Sequence, residues 1–138
     1  MNITASRVSG LSILCVEDEP LPLKFLGQML TMKYPDHKVT TADNGRSALE
    51  FFRKNPADIV LTDISMPVMD GISMAREIRS IKPGVYIIAL TAHDDLQLPN
   101  EVAGLFDRFI QKPISRFDLY LAIDGCLTCF SQQTGNEN

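Results

Sequence analysis

Five short runs rich in apolar and β-branched residues recur along this chain, and a segment that reads as helix follows each one, irregularly so after the fourth. The runs fall at residues 12–16, 38–42, 58–62, 85–90 and 108–110. Ser12-Ile13-Leu14-Cys15-Val16 is nearly continuous in its apolar character, as suits a strand buried on both faces. Lys38-Val39-Thr40-Thr41-Ala42 is more polar and predicts a strand nearer the sheet edge. Strands that alternate with helices need crossover connections, which predicts an α/β fold with a mostly parallel sheet. Right-handed crossovers then cover both faces with helices.

The helical segments carry stripes that fit this architecture. Leu23, Leu26, Met29 and Leu30 lie on one face of residues 21–32, with Pro20 and Pro22 in or before the first turn. Residues 47–54 offer Ala48, Leu49, Phe51 and Phe52, after an Asn44-Gly45 break. Residues 69–81 open on an Asp-Gly turn and carry Ile72, Ala75, Ile78 and Ile81. A fourth helix is irregular: Pro99 suits its first position and Gly104 its end, which leaves it short. Ser115, with Asp118 three residues on, caps a last helix that offers Phe117, Leu119, Leu121, Ala122, Cys126 and Leu127 for packing. Residues 1–10 read as an extension, 11–130 as one folded domain, and 131–138 as a polar tail that frays.

With 138 residues, 45% of them apolar, the chain has enough core to fold as one domain without disulfides. Its net charge of −4 gives no electrostatic footprint for nucleic acid. Three cysteines, all in apolar stretches, predict a reduced, cytoplasmic protein. The polar start is unlike a signal peptide, and no apolar stretch is long enough to span a bilayer. Cys126 and Cys129, three apart on the last helix, lack further ligands at metal spacing and read as packing residues.

Polar groups stand at the C-terminal ends of the apolar runs. Asp63 ends one, followed by Ile64-Ser65-Met66-Pro67-Val68-Met69-Asp70-Gly71; Glu17 and Asp18 end the first; Thr91 ends the fourth; Lys112-Pro113 follows the fifth. Open α/β sheets bind ligands along this edge. Three carboxylates brought together repel unless they are neutralised. A hard divalent cation takes oxygen ligands of this kind, and Lys112 offers a positive point charge. Solvated strand ends would explain any one of these residues, but explain four matching strand ends poorly.

From Ser12 to Phe130 the chain resembles the receiver domain of two-component response regulators. The matching motifs are Val16-Glu17-Asp18-Glu19, Asp63 with Met66-Pro67-Val68-Met69-Asp70-Gly71, Thr91-Ala92 and Lys112-Pro113. The resemblance implies a three-layer, flavodoxin-like (βα)5 fold with strand order 2-1-3-4-5. It implies that Asp63 accepts a phosphoryl group from a sensor histidine kinase or a histidine phosphotransfer protein. Asp18, Asp63 and the backbone carbonyl of Ser65 would hold Mg²⁺, or Mn²⁺ in its place, with Glu17 acting through a water. Lys112, preceding a cis peptide to Pro113, would pair with Asp63 and then with the phosphoryl group, and Thr91 would hydrogen-bond another phosphoryl oxygen. Thr91 and Phe109 would form the switch that alters the face of the fourth helix, fifth strand and fifth helix.

Ser65 and His93 occupy positions that would set the lifetime of the phosphorylated state; a histidine of no special role in a surface loop is the plain alternative for His93. The output would pass to an unidentified downstream target or an effector domain outside this chain, from a monomer or a phosphorylation-dependent dimer. Such a domain catalyses its own phosphorylation and dephosphorylation but does not turn over a small substrate. Three competitors remain. A haloacid-dehalogenase-like phosphatase wants a second aspartate where Ser65 stands. A flavodoxin-type binder wants a Ser/Thr/Gly phosphate loop where Glu17-Asp18-Glu19-Pro20 stands. A pseudo-receiver acting only as an interaction module would leave these positions without chemistry. The stretch from Asp94 to Phe106 departs from the family pattern, with its Pro99 and a Gly104 offset from Lys112-Pro113.

Overall fold

The computed structural model describes residues 10–92 and 98–136, with side chains through residue 130; His93 lies outside the described residues. Strands β1 (Ser12–Val16), β2 (Lys38–Ala42), β3 (Ile59–Asp63), β4 (Tyr86–Thr91) and β5 (Arg108–Gln111) alternate with helices α1 (Pro20–Lys33), α2 (Gly45–Lys54), α3 (Gly71–Ile81), α4 (Asn100–Ala103) and α5 (Arg116–Asn136). The strands form one parallel sheet in the order β2-β1-β3-β4-β5. Every residue of the central strand β3 is buried, whereas β2 at the edge is half-exposed, matching its more polar sequence.

Alternation along the strands divides the core into two layers. Leu14, Val60, Ile87 and Ala89 pack with Phe52, Met74 and Ile78 from α2 and α3. Ile13, Leu61, Ile88 and Leu90 pack with Leu26, Leu30, Leu119 and Ile123 from α1 and α5. Helix starts follow local chemistry: Asn44 accepts from Ser47 N, Asp70 accepts from Ser73 N, and Asp118 N donates to Ser115 Oγ. These caps move the starts of α2 and α3 to the Gly45 and Gly71 positions, a shift of two residues each that periodicity alone does not reveal.

Three expectations change. Phe117 and Leu121 are 73% and 53% exposed instead of packed, because α5 buries the stripe of Leu119, Ala122, Ile123 and Cys126. Cys126 is buried but Cys129 is exposed, so the two do not share a packed face. Helix α5 continues to Asn136, past residue 130, since no proline interrupts its ladder.

Away from the site, Asp58 ties the start of β3 to its neighbours. Its carboxylate accepts from Ser12 N at 2.9 Å and from Lys82 Nζ at 2.9 Å. Burial opposes the charge, but these partners outweigh it and hold the carboxyl below its ordinary range. A carboxyl with a folded-state pKa below its unfolded value adds stability above the unfolded pKa. That increment is lost as pH falls from about 4 through the folded value. Asp58→Asn is therefore expected to lower the urea midpoint at pH 7 and to flatten its acid limb; an unchanged acid limb would assign that pH dependence to other groups.

Candidate functional site

The parallel sheet places the ends of β1, β3, β4 and β5 on one edge, and the side chains there converge. Asp63, the last residue of β3, is 6% exposed, and Glu17, directly after β1, is fully buried. Carboxylate oxygens of Glu17, Asp18 and Asp63 lie within 4.8 Å of one another. Lys112, one residue past β5, reaches across to them: its Nζ donates to Asp63 Oδ2 at 2.8 Å and to Glu17 Oε1 at 3.1 Å. The Lys112–Pro113 peptide is cis. Thr91 is fully buried at the end of β4, where its hydroxyl donates to the Ile110 carbonyl at 3.4 Å. Ser65 is exposed in the loop after Asp63. Phe109 on β5 is 41% exposed.

Among the described residues, the site sets one cation, Lys112, amid three carboxylates. Burial pushes the Glu17 carboxyl up, with the Asp63 charge adding to it, against the bonds from Lys112 Nζ and Glu19 N. For Lys112, burial disfavours the charge, but hydrogen bonds to Asp63 and Glu17 prevail and hold the ammonium above its ordinary value. One ammonium faces three carboxylates, leaving negative charge to be neutralised. The donor set is all oxygen and closely spaced, which fits a hard divalent cation such as Mg²⁺.

The loop that positions Asp63 is tightly constrained. Gly71 N donates to Ile64 O at 2.8 Å, and a Cβ at Gly71 would overlap the carbonyl oxygen of Asp63. A Cβ at Gly45 would lie 2.6 Å from Met69 O, so α2 abuts the same loop. Between these clamps Met69 N donates to Pro67 O at 2.8 Å around Val68, whose φ is +73°. This is a γ-turn with a β-branched residue in the left-handed region, a strained arrangement. Nothing in the Val68 side chain signals it; the Asp70-Gly71 and Asn44-Gly45 pairs signal turns but not this contact.

Val68→Gly is expected to stabilise the protein by about 1 kcal/mol. Strain relief of roughly 1–3 kcal/mol is offset by the extra chain entropy of glycine, about 0.5–1 kcal/mol. A lowered melting temperature would show that the turn is not strained.

The response regulator receiver domain model matches residues 13–124. Among curated relatives, the transcriptional regulatory protein GlrR of Escherichia coli K12 is 38% identical over 83% of this chain and 26% of its own length. The response regulator receiver protein CpdR of Brucella abortus is 35% identical over 83% of this chain and 95% of its own. This chain thus spans about a quarter of GlrR but nearly all of CpdR. Among solved structures, the receiver domain of sensor histidine kinase PA1611 from Pseudomonas aeruginosa PAO1, with magnesium coordinated in its active-site cleft, is 32% identical. It covers 87% of this chain and 99% of that one, with a TM-score of 0.74. A chain of the complex between histidine kinase ThkA and response regulator TrrA is 31% identical over 85% of this chain and 98% of its own, with a TM-score of 0.74.

The chain belongs to the response regulator receiver domain family. Members of this family are signalling domains of two-component systems rather than enzymes acting on small substrates, and they interact with histidine kinases.

Proposed function

We propose that this protein is the phosphoryl-accepting element of a two-component phosphorelay, with Asp63 as the acceptor. The observation that carries this reading is Lys112 Nζ, held 2.8 Å from Asp63 inside a cluster of three carboxylates. In the transfer, an Asp63 oxygen attacks phosphorus and the P–N bond of a partner's phosphohistidine breaks. The electron pair goes to the imidazole nitrogen, which then takes up a proton. Little else is required of the protein beyond positioning and charge neutralisation. Asp18, Asp63 and the Ser65 carbonyl would hold Mg²⁺, with Glu17 acting through a water, and the ion would supply positive charge to the phosphoryl oxygens. Lys112 moves from pairing with the Asp63 carboxylate to pairing with a phosphoryl oxygen. The Thr91 hydroxyl, now on the weak 3.4 Å bond to Ile110, is free to exchange it for another phosphoryl oxygen. In hydrolysis water attacks phosphorus, the P–O bond to Asp63 breaks, and the carboxylate returns.

The phosphodonor is a sensor histidine kinase or a histidine phosphotransfer protein. It docks on the apolar groove beside Lys112, lined by Leu21, Pro22, Phe25 and Ile114. Phosphorylation draws Thr91 toward the phosphoryl group and Phe109 inward, altering the α4–β5–α5 face that a downstream target or effector domain reads. Incubation with phosphoramidate and Mg²⁺ should add the mass of one phosphoryl group, and chelation by EDTA should prevent it. No gain in Mg²⁺ would favour the alternative, an interaction module that phosphorylation does not regulate.

A further inference from the structure

Helix α4 is a single turn, Asn100–Ala103, between Pro99 and Gly104. Phe106, only 6% exposed, joins the α2–α3 core layer, against which Leu98 and Leu105 also pack. Its ring meets that of Phe109 edge-on, with centroids 5.6 Å apart and planes at 60°. The two rings differ in freedom: Phe109 is 41% exposed on the edge strand β5, whereas Phe106 is enclosed.

The backbone on both sides of Phe106 is also held. Arg79 Nε donates to Leu105 O at 3.1 Å, and its Nη2 pairs with Asp107 at 2.6 Å. Asp107 N donates to Ile87 O at 2.8 Å, and Asp107 Oδ2 accepts from Ile87 N at 2.8 Å. Arg79 Nη1 reaches the carbonyls of Pro83 and Val85. Phe106 is thus anchored to α3 and β4, and of the ring pair only Phe109 is placed to turn.

We infer that Phe106 is a positioning residue for the switch: its edge-on contact holds Phe109 in the half-exposed orientation and so favours the unphosphorylated state. This rests on the proposed role of Phe109 and Thr91. An inward turn of Phe109 gives up the edge-to-face contact, whose worth beyond burial corresponds to a shift of roughly two- to tenfold in a two-state equilibrium.

The test is the rate of phosphorylation by phosphoramidate at saturating Mg²⁺. Phe106→Leu and Phe106→Met keep an apolar filler at the site. Each is expected to be phosphorylated about fivefold faster than the parent, within the range of one aromatic pair. In a Phe109→Leu background the same changes should leave the rate unaltered, because the ring they act through is gone. A purely structural Phe106 would lower the melting temperature without moving the rate. Rates within twofold of the parent, or slower, in a folded variant overturn the inference, as does an equal acceleration in the Phe109→Leu background. If the parent protein itself takes up no phosphoryl group, it is the proposed function that fails.

Discussion

Asp63→Asn is expected to abolish phosphoryl uptake from phosphoramidate or acetyl phosphate while leaving a folded protein. The amide has no anionic oxygen to attack phosphorus and cannot form the acyl phosphate. It also removes one of three clustered carboxylates, so affinity for Mg²⁺ should fall with the chemistry. Folding should survive, because Lys112 keeps its 3.1 Å bond to Glu17 and the repulsion between Asp63 and Glu17 disappears. Intact mass after incubation, read beside a thermal melt, separates the two effects. A mass gain that persists in the asparagine variant would place the phosphoryl group on another residue and overturn Asp63 as acceptor. A collapse of the melt would show that the carboxylate is needed for folding.

Gly71→Ala is expected to be the most damaging single methyl addition near the site. The new Cβ would overlap the carbonyl oxygen of Asp63 and lie 3.0 Å from Ile64 Cα. Both obstacles are backbone, so no side-chain rotation relieves the clash. Helix α3 must retreat from β3, which strains the 2.8 Å bond from Gly71 N to Ile64 O and shifts the acceptor itself. Overpacking of this kind typically costs about 1–3 kcal/mol, and a backbone clash belongs at or above the upper figure. The urea midpoint should drop with little change in slope. Gly84→Ala serves as the control, since a Cβ there meets nothing within 4 Å and should be nearly neutral. Equal midpoints for the two variants would mean that the loop yields freely. Phosphorylation of Gly71→Ala, measured on folded protein, should slow as well, because the Asp63 carboxylate no longer faces Lys112 squarely.

Most elements of this fold are legible because they carry their own period, α4 being the exception. Five apolar runs with helical segments between them, four of these carrying apolar stripes, predict a parallel sheet, and a parallel sheet ends all its strands on one side. Helix boundaries were less legible. The starts of α2 and α3 depend on side-chain bonds from Asn44 and Asp70, and caps lie outside the apolar pattern. The buried face of α5 is hard to read from sequence for a similar reason: several apolar residues compete for one buried stripe. Packing buried Leu119, Ala122, Ile123 and Cys126 and left Phe117 and Leu121 in solvent.

Sequence by itself determined the class of fold, the family, and which polar residues stand at strand ends, since these follow from local periodicity and motif spacing. Tertiary structure alone decided what lies between those ends. Lys112 meets Asp63 and Glu17 across separations of 49 and 95 residues, distances set by sheet register. The left-handed turn at Val68 lies in a loop that α2 and α3 approach closely at Gly45 and Gly71. Phe106 lies edge-on to Phe109, a contact between a buried loop residue and a half-exposed strand residue. Such contacts depend on the packing of several elements at once, which no single stretch of sequence encodes.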